Sequence, residues 1–318
     1  TRHARMILRP VQVTDLPALL ALSRLAGRDL TPLVNEERLT HRLRWVQRTF
    51  AEQVERADAD YLFVLEDDDQ QVLGVSAMTG AVGLREPWYN YRLGLTVSSS
   101  PALGISRQIP TLFLNNEMTG QSVLCSLFMR PDQRQGSNGR LLTLGRLLLA
   151  AEFPHLFGEK MIAELRGSAD EKGCSPFWDS VGRHFFKMDF SHAEHLSGLG
   201  NKSFIAELMP RQPLYTCLLT EQAQAVIGKP HPNSEPALKI LAAEGFAHKG
   251  YIDIFDAETG ESFGSDPWMQ RLTATGEFVD DDDPAVTNER AYRGVFIWAV
   301  PKGVRQVNFG YWGEMLFK

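Results

Sequence analysis

The 318-residue sequence predicts an α/β (α+β) fold: a mixed central sheet with flanking helices, plus a smaller β-rich C-terminal extension. Three observations carry this reading. The chain opens with a strand, two amphipathic helices and a strand pair. Mid-chain, an apolar strand passes through a polar small-residue turn directly into an apolar helix. Beyond Asp256 the chain becomes Gly-, Asp- and Thr-rich, with short β-prone runs.

The elements follow in order. Residues 7–11 form a short strand, and Thr14-Asp15 can cap a helix whose apolar positions are Leu16, Leu19, Leu20 and Leu22. A second helix is expected over 35–55, with Leu39, Leu43, Val46 and Phe50 on one side. Residues 61–66 and 71–77, joined by an acidic turn, read as an antiparallel hairpin. After an excursion over 81–120 come a strand over 121–129, a turn over 130–139 and a helix over 140–152. A strand over 161–166 precedes a helix that Ser175 can cap, with Pro176 at its first position. Residues 203–208 read as a further strand, 234–244 as a helix, 251–255 as a strand, and 294–300 as a β-run in the tail.

Bulk properties narrow the function. The composition, 43% hydrophobic and 23% charged, is that of a soluble globular enzyme. A net charge of −6 argues against nucleic acid, which a basic face usually meets. Cys125, Cys174 and Cys217 have no C-x-x-C spacing, so reduced thiols are expected, not disulfides or a zinc site. The apolar stretch at 141–151 is interrupted by Arg146 and too short to span a bilayer. No charged-then-apolar leader precedes Met6, and the expected compartment is cytoplasmic. The expected partners are small molecules, with no membrane and no metal.

The turn over 130–139 holds the chemistry. A small-residue turn at a helix start leaves N–H groups without partners, and the helix dipole adds positive charge there, so a pyrophosphate can dock. A Walker loop would end in Gly-Lys-Ser/Thr, whereas Gly139 is followed by Arg140-Leu141. A dinucleotide fingerprint belongs to an early βαβ unit, and this turn sits mid-chain. Arg134-Gln-Gly-Ser-Asn-Gly139 instead resembles the Arg/Gln-x-x-Gly-x-Gly/Ala loop of GNAT-type acyltransferases, with Ser137 at the first of its glycines.

Longer blocks extend that resemblance. Among them are residues 61–67, Val82-Gly-Leu-Arg-Glu-Pro-Trp-Tyr-Asn-Tyr-Arg-Leu-Gly94, Leu124-Cys-Ser-Leu-Phe128, Asn138-Gly-Arg-Leu-Leu142 and Ser175-Pro-Phe-Trp-Asp-Ser-Val-Gly-Arg-His-Phe-Phe186. Gln222-Ala-Gln-Ala-Val-Ile-Gly228 with His231-Pro232, and Tyr251-Ile-Asp-Ile-Phe-Asp256, complete the series. Over about residues 6–256 the chain resembles the arginine N-succinyltransferase family. The resemblance implies a GNAT-like acyl-CoA N-acyltransferase fold and transfer of succinyl from succinyl-CoA to the α-amine of L-arginine. It implies His231 as the proton donor and Leu127 as a succinyl-CoA contact. The implied pyrophosphate loop is Arg134, Gly136, Ser137, Asn138, Gly139 and Arg140. The cluster Trp88, Tyr89, Asn90 and Tyr91, between Arg85 and Arg92, could line the acceptor pocket, or could be aromatic packing beside solvated arginines.

The expected division is a catalytic domain over 6–215 and an extension over 216–318 that contributes His231. A homo- or hetero-oligomer is expected. A partner subunit of low activity that binds acyl-CoA, or an enzyme for a different amine, stands beside the main reading. His184, next to Phe185-Phe186, is expected to pack in the core, and Cys125 to fill a buried strand.

Overall fold

The computed structural model describes residues 6–27, 36–167, 169, 174–198, 203–255, 257, 259–264, 294–300, 303–309 and 315–317. In chain order the elements begin with β1 (Met6–Pro10), α1 (Leu16–Ala26), α2 (Glu36–Phe50), β2 (Asp60–Glu66), β3 (Val72–Thr79), β4 (Asn90–Ser100) and β5 (Ile105–Asn115). Next come β6 (Ser122–Met129), α3 (Asn138–Glu152), β7 (Lys160–Leu165), α4 (Pro176–Ser180), α5 (Gly182–Phe186), α6 (Phe190–Gly198) and α7 (Ser203–Leu208). The remainder are β8 (Leu214–Tyr215), α8 (Glu221–Val226), α9 (Glu235–Ala243), β9 (Ala247–Ile252), β10 (Thr259–Gly264), β11 (Gly294–Val300), β12 (Gly303–Phe309) and β13 (Met315–Phe317).

The chain packs as two units that interleave in sequence. The first comprises Thr1–Ala81, Gln121–Met161 and Gly264–Lys318, the second Val82–Gly120 and Ile162–Phe263. His231 falls in the second unit, with residues 82–120.

In the first unit β1 lies parallel to β11 and antiparallel to β2, and β2–β3 and β3–β6 continue antiparallel. Along β2 and β3 nearly every residue is buried, the signature of strands covered on both faces. Helix α2 packs on β2, and α3 on β3 and β6. Leu39, Leu43 and Val46, spaced for one helix face, are fully buried. Arg9 joins three elements: it bonds both Asp15 oxygens at 2.7 and 2.8 Å and Glu66 at 2.8 Å, while Asp15 also accepts the Gln12 amide. Asp15 stands at the N-cap position of α1, but the expected side-chain cap does not form: its carboxylate accepts from Arg9 and from the Gln12 amide instead.

In the second unit β4 and β5 form a hairpin of eleven residues per strand, β9 pairs with β4 and β10, and β8 with the end of β5. Trp178 centres its core. The indole stacks on Phe186 at 5.2 Å and Phe255 at 5.5 Å, and its N–H donates to Met188 O. Ser175 caps α4 by accepting the Trp178 amide, with Pro176 in the first turn, as expected.

Several expectations need correction. Residues 203–208 are helical, not a strand: Ile205 and Met209 are both buried, and the Met209 amide donates to Ile205 O, an i,i+4 period. Helix α2 ends at Phe50, not near 55, because Glu52 turns left-handed at φ 55°. The strand expected at 251–255 lies at 247–252, stopped where the Asp253 carboxylate accepts the Phe255 amide in a turn. His184 is exposed, since Phe186 takes the buried position. No helix among the described residues is long and apolar enough to cross a membrane.

Candidate active site

Within the first unit the ladder between β3 and β6 is broken at one place. Val75 faces Phe128 and Ala77 faces Cys125, so Ser126 and Leu127 together oppose Ser76. Ser126 sits at φ 50°, the left-handed backbone of a bulge. A bulge takes backbone groups out of the ladder, and it does so at Leu127.

Strand β6 then runs into the turn. Arg134 folds back over the strand end, its Nε donating to Met129 O at 3.0 Å and its guanidinium 5.4 Å from the Phe128 ring. Asn138 ties the turn by donating to Gln133 O. Gly136 is left-handed at φ 60°. Ser137 occupies the N-cap of α3, yet its hydroxyl makes no capping bond. The amides of Gly136, Ser137, Asn138 and Gly139 donate to no group among the described residues. An uncapped helix start of this kind suits an oxyanion.

Behind the bulge lies Arg146, 1% exposed. It donates to Ala77 O at 2.9 Å, Cys125 O at 3.2 Å and Thr143 O at 3.2 Å. Burial pushes its pKa down to about 10. Burial also pushes the Cys125 thiol up, against the nearby Arg42 and Arg146 charges, so it stays protonated and unsuited to nucleophilic attack.

His231 belongs to the second unit. Its amide donates to Arg166 O at 2.7 Å, just past the end of β7, and its Nδ1 accepts the Asn233 amide at 3.1 Å. An accepting Nδ1 puts the proton of the neutral ring on Nε2, which makes that atom a donor.

The aromatic cluster divides. Tyr91 is fully buried in the core of the second unit, its hydroxyl against Met209 Sδ, and Tyr89 packs against the same core. Arg85 is exposed. Trp88, 7% exposed, instead lines a cleft with Asn90, Met118, Ile162, Glu164, Tyr251 and Asp253. Among the described residues no three His, Cys, Asp or Glu side chains are grouped to hold a metal ion.

The family model for the arginine N-succinyltransferase beta subunit matches residues 6–262. The chain belongs to the arginine N-succinyltransferase family. It is 56% identical over 303 residues to arginine N-succinyltransferase subunit beta of Pseudomonas aeruginosa, covering 93% of this chain and 89% of the relative. It is 49% identical to arginine N-succinyltransferase of Yersinia pestis, over 79% of this chain and 72% of that one. The solved structure of arginine/ornithine succinyltransferase subunit AI from Pseudomonas aeruginosa matches with a TM-score of 0.74 at 34% identity, covering 86% of this chain and 80% of that chain.

As an arginine N-succinyltransferase family member the chain is an acyltransferase, and its sequence-predicted residues fall into two groups. Leu127 and Arg134 to Arg140 lie together in the first unit; Arg85, Trp88, Tyr89, Tyr91 and His231 lie in the second. Sequence reading missed Ser126, Arg146, Glu164 and Tyr251. Arg146 left a visible signal, a lone cation in an apolar helix. A bulge at Ser126 leaves none, because only pairing across the sheet reveals it.

Proposed function

We propose that this arginine N-succinyltransferase family chain transfers succinyl from succinyl-CoA to the α-amine of L-arginine, giving N2-succinylarginine and CoA. The observation that carries the donor half is the bulge at Ser126–Leu127 running into an uncapped helix start at Gly136–Gly139. The helix-start amides hold the CoA diphosphate, with Arg134 and Arg140 adding positive charge. Backbone freed at Leu127 lies along the acyl-thioester and can polarise its carbonyl.

The chemistry is direct. A neutral amine attacks the thioester carbonyl, the C–N bond forms, the C–S bond breaks, and the amine proton leaves as the thiolate takes one up. Holding both substrates together supplies much of the rate by proximity. His231 Nε2–H serves as the proton donor for the departing thiolate. No covalent enzyme intermediate is needed, in keeping with a half-buried Cys125 whose thiol is held protonated.

The chain acts in an oligomer in the cytoplasm. Supporting assembly, Leu95, Val97, Leu103 and Ile105 expose 47–72% of their surface along one end of the β4–β5 hairpin, an apolar strip of the kind that subunits cover.

Thiol release from succinyl-CoA with L-arginine tests the function, compared with acetyl-CoA and with ornithine. Release that requires arginine and prefers succinyl-CoA is expected. No release with any acyl-CoA would overturn it.

A further inference from the structure

The cleft lined by Trp88 lies wholly in the second unit and has the chemistry of a cation site. Its polar lining comprises Asn90, Glu164, Tyr251 and Asp253; Trp88, Met118 and Ile162 supply the apolar walls. No lysine, arginine or histidine is among these lining residues. Asn90 is 4% exposed, and its Oδ1 is buried without a hydrogen-bond partner. A buried amide oxygen left unsatisfied is costly, and a ligand that donates to it removes that cost. Tyr251 donates its hydroxyl to Glu117 at 2.5 Å, which leaves the phenol oxygen able to accept. Burial and the Glu117 bond both raise the Tyr251 pKa, so the phenol stays protonated.

The lining therefore offers acceptors, negative charge and an aromatic face. A planar guanidinium matches it, with five N–H donors, a fixed positive charge and a surface that packs on indole. As it stands the cleft is narrow, with room for little more than a water-sized group. Met118 is the side chain best able to yield, being unbranched and adaptable.

His231 is keyed to the same strand. Glu164 on β7 lines the cleft, and two residues further on Arg166 O holds the His231 amide. Two residues of extended chain advance about 6.6 Å, a span that an arginine's three-methylene stem bridges.

We propose that this cleft receives the guanidinium head of the acceptor amino acid, with Asn90 and Glu164 as its specificity-determining contacts. The proposal rests on the reading of arginine as acceptor, and adds which residues recognise it.

Calorimetry on the full chain tests it, with L-arginine, agmatine (the guanidinium without the carboxylate) and citrulline (the neutral isostere) as ligands. L-Arginine and agmatine should bind and citrulline should not. Glu164→Gln and Asn90→Ala should each weaken arginine by about tenfold or more, the scale of a lost charge-assisted bond, and leave succinyl-CoA affinity unchanged. Thermal melts of the two variants show which remain folded, and at least one is needed for the comparison. Citrulline binding as tightly as arginine, or folded variants binding arginine like the parent, would overturn the cleft assignment. Thiol release that needs arginine but ignores both substitutions would sink the cleft and keep the transferase. Arginine binding that depends on Glu164, without thiol release, would keep the cleft and sink the transferase.

Discussion

Arg146 clasps Cys125: one guanidinium nitrogen donates to Cys125 O at 3.2 Å and to Ala77 O, directly opposite, at 2.9 Å. These two residues face each other where the β3–β6 ladder re-forms beside the bulge. A buried cation is expensive, and no carboxylate among the described residues pairs with Arg146, so its three carbonyl bonds must hold it. The helix that follows the candidate donor loop thereby fixes the strand that precedes it.

Arg146→Met should loosen that strand. The Ala77 and Cys125 carbonyls lose a donor, a cost of about 1–3 kcal/mol per unsatisfied group, offset in part by removing a buried charge. Hydrogen exchange over residues 124–128 should accelerate and affinity for a CoA ester should fall. Unchanged exchange there would show that the bulge holds its shape without the clasp.

His231→Ala should lower turnover by about 10²–10⁴, the usual scale for a proton-transfer group. CoA-ester binding should stay within about twofold, because the candidate donor loop is untouched. Steady-state kinetics beside calorimetry separates the two. Equal loss of binding and turnover would make His231 a structural residue.

Gly136→Ala isolates backbone conformation in the candidate donor loop. Nothing lies within 4 Å of the added methyl, so its cost is the left-handed φ alone, about 1–2 kcal/mol. A melt should register that loss, and CoA-ester affinity should fall as the amides shift. Affinity equal to the parent would remove the loop from the donor site.

Sequence patterning made most of the first unit legible. Leu39, Leu43 and Val46 announced their helix, and the near-continuous apolar runs announced β2 and β3, because local period reflects burial directly. Residues 203–208 misled, since six residues ending before Met209 do not reveal an i,i+4 period. The turn ahead of α3 was readable from its small residues, with Gly136 left-handed and Asn138 tying it to Gln133 O. Of the cleft beside Trp88, the sequence offered Trp88 and Asn90 as one cluster, whereas Glu164, Tyr251 and Asp253 come from strands and turns that only tertiary pairing gathers. Tyr91, expected near substrate, is packed in the core, since a strand turns alternate side chains to opposite faces and sequence alone does not say which face is covered.

Alkaline stability should report the buried acids. Burial raises Tyr61 and Tyr91 well above the ordinary phenol value and Cys125 above the ordinary thiol value. The unfolded chain therefore loses these protons first, so it binds fewer protons than the folded chain as pH rises, and stability falls. The decline should begin near the free thiol and phenol values, about pH 8.5–10. Denaturant titrations across that range check this, and Tyr91→Phe should flatten the slope. A slope identical to the parent's would place the Tyr91 proton outside the folding equilibrium.

Hydrogen exchange with and without bound succinyl-CoA bears most directly on where the donor sits. Protection should concentrate in peptides spanning 126–128 and 136–140. Protection confined to other segments, or none at saturating ligand, would contradict the assignment of the bulge and helix start as the acyl-CoA site.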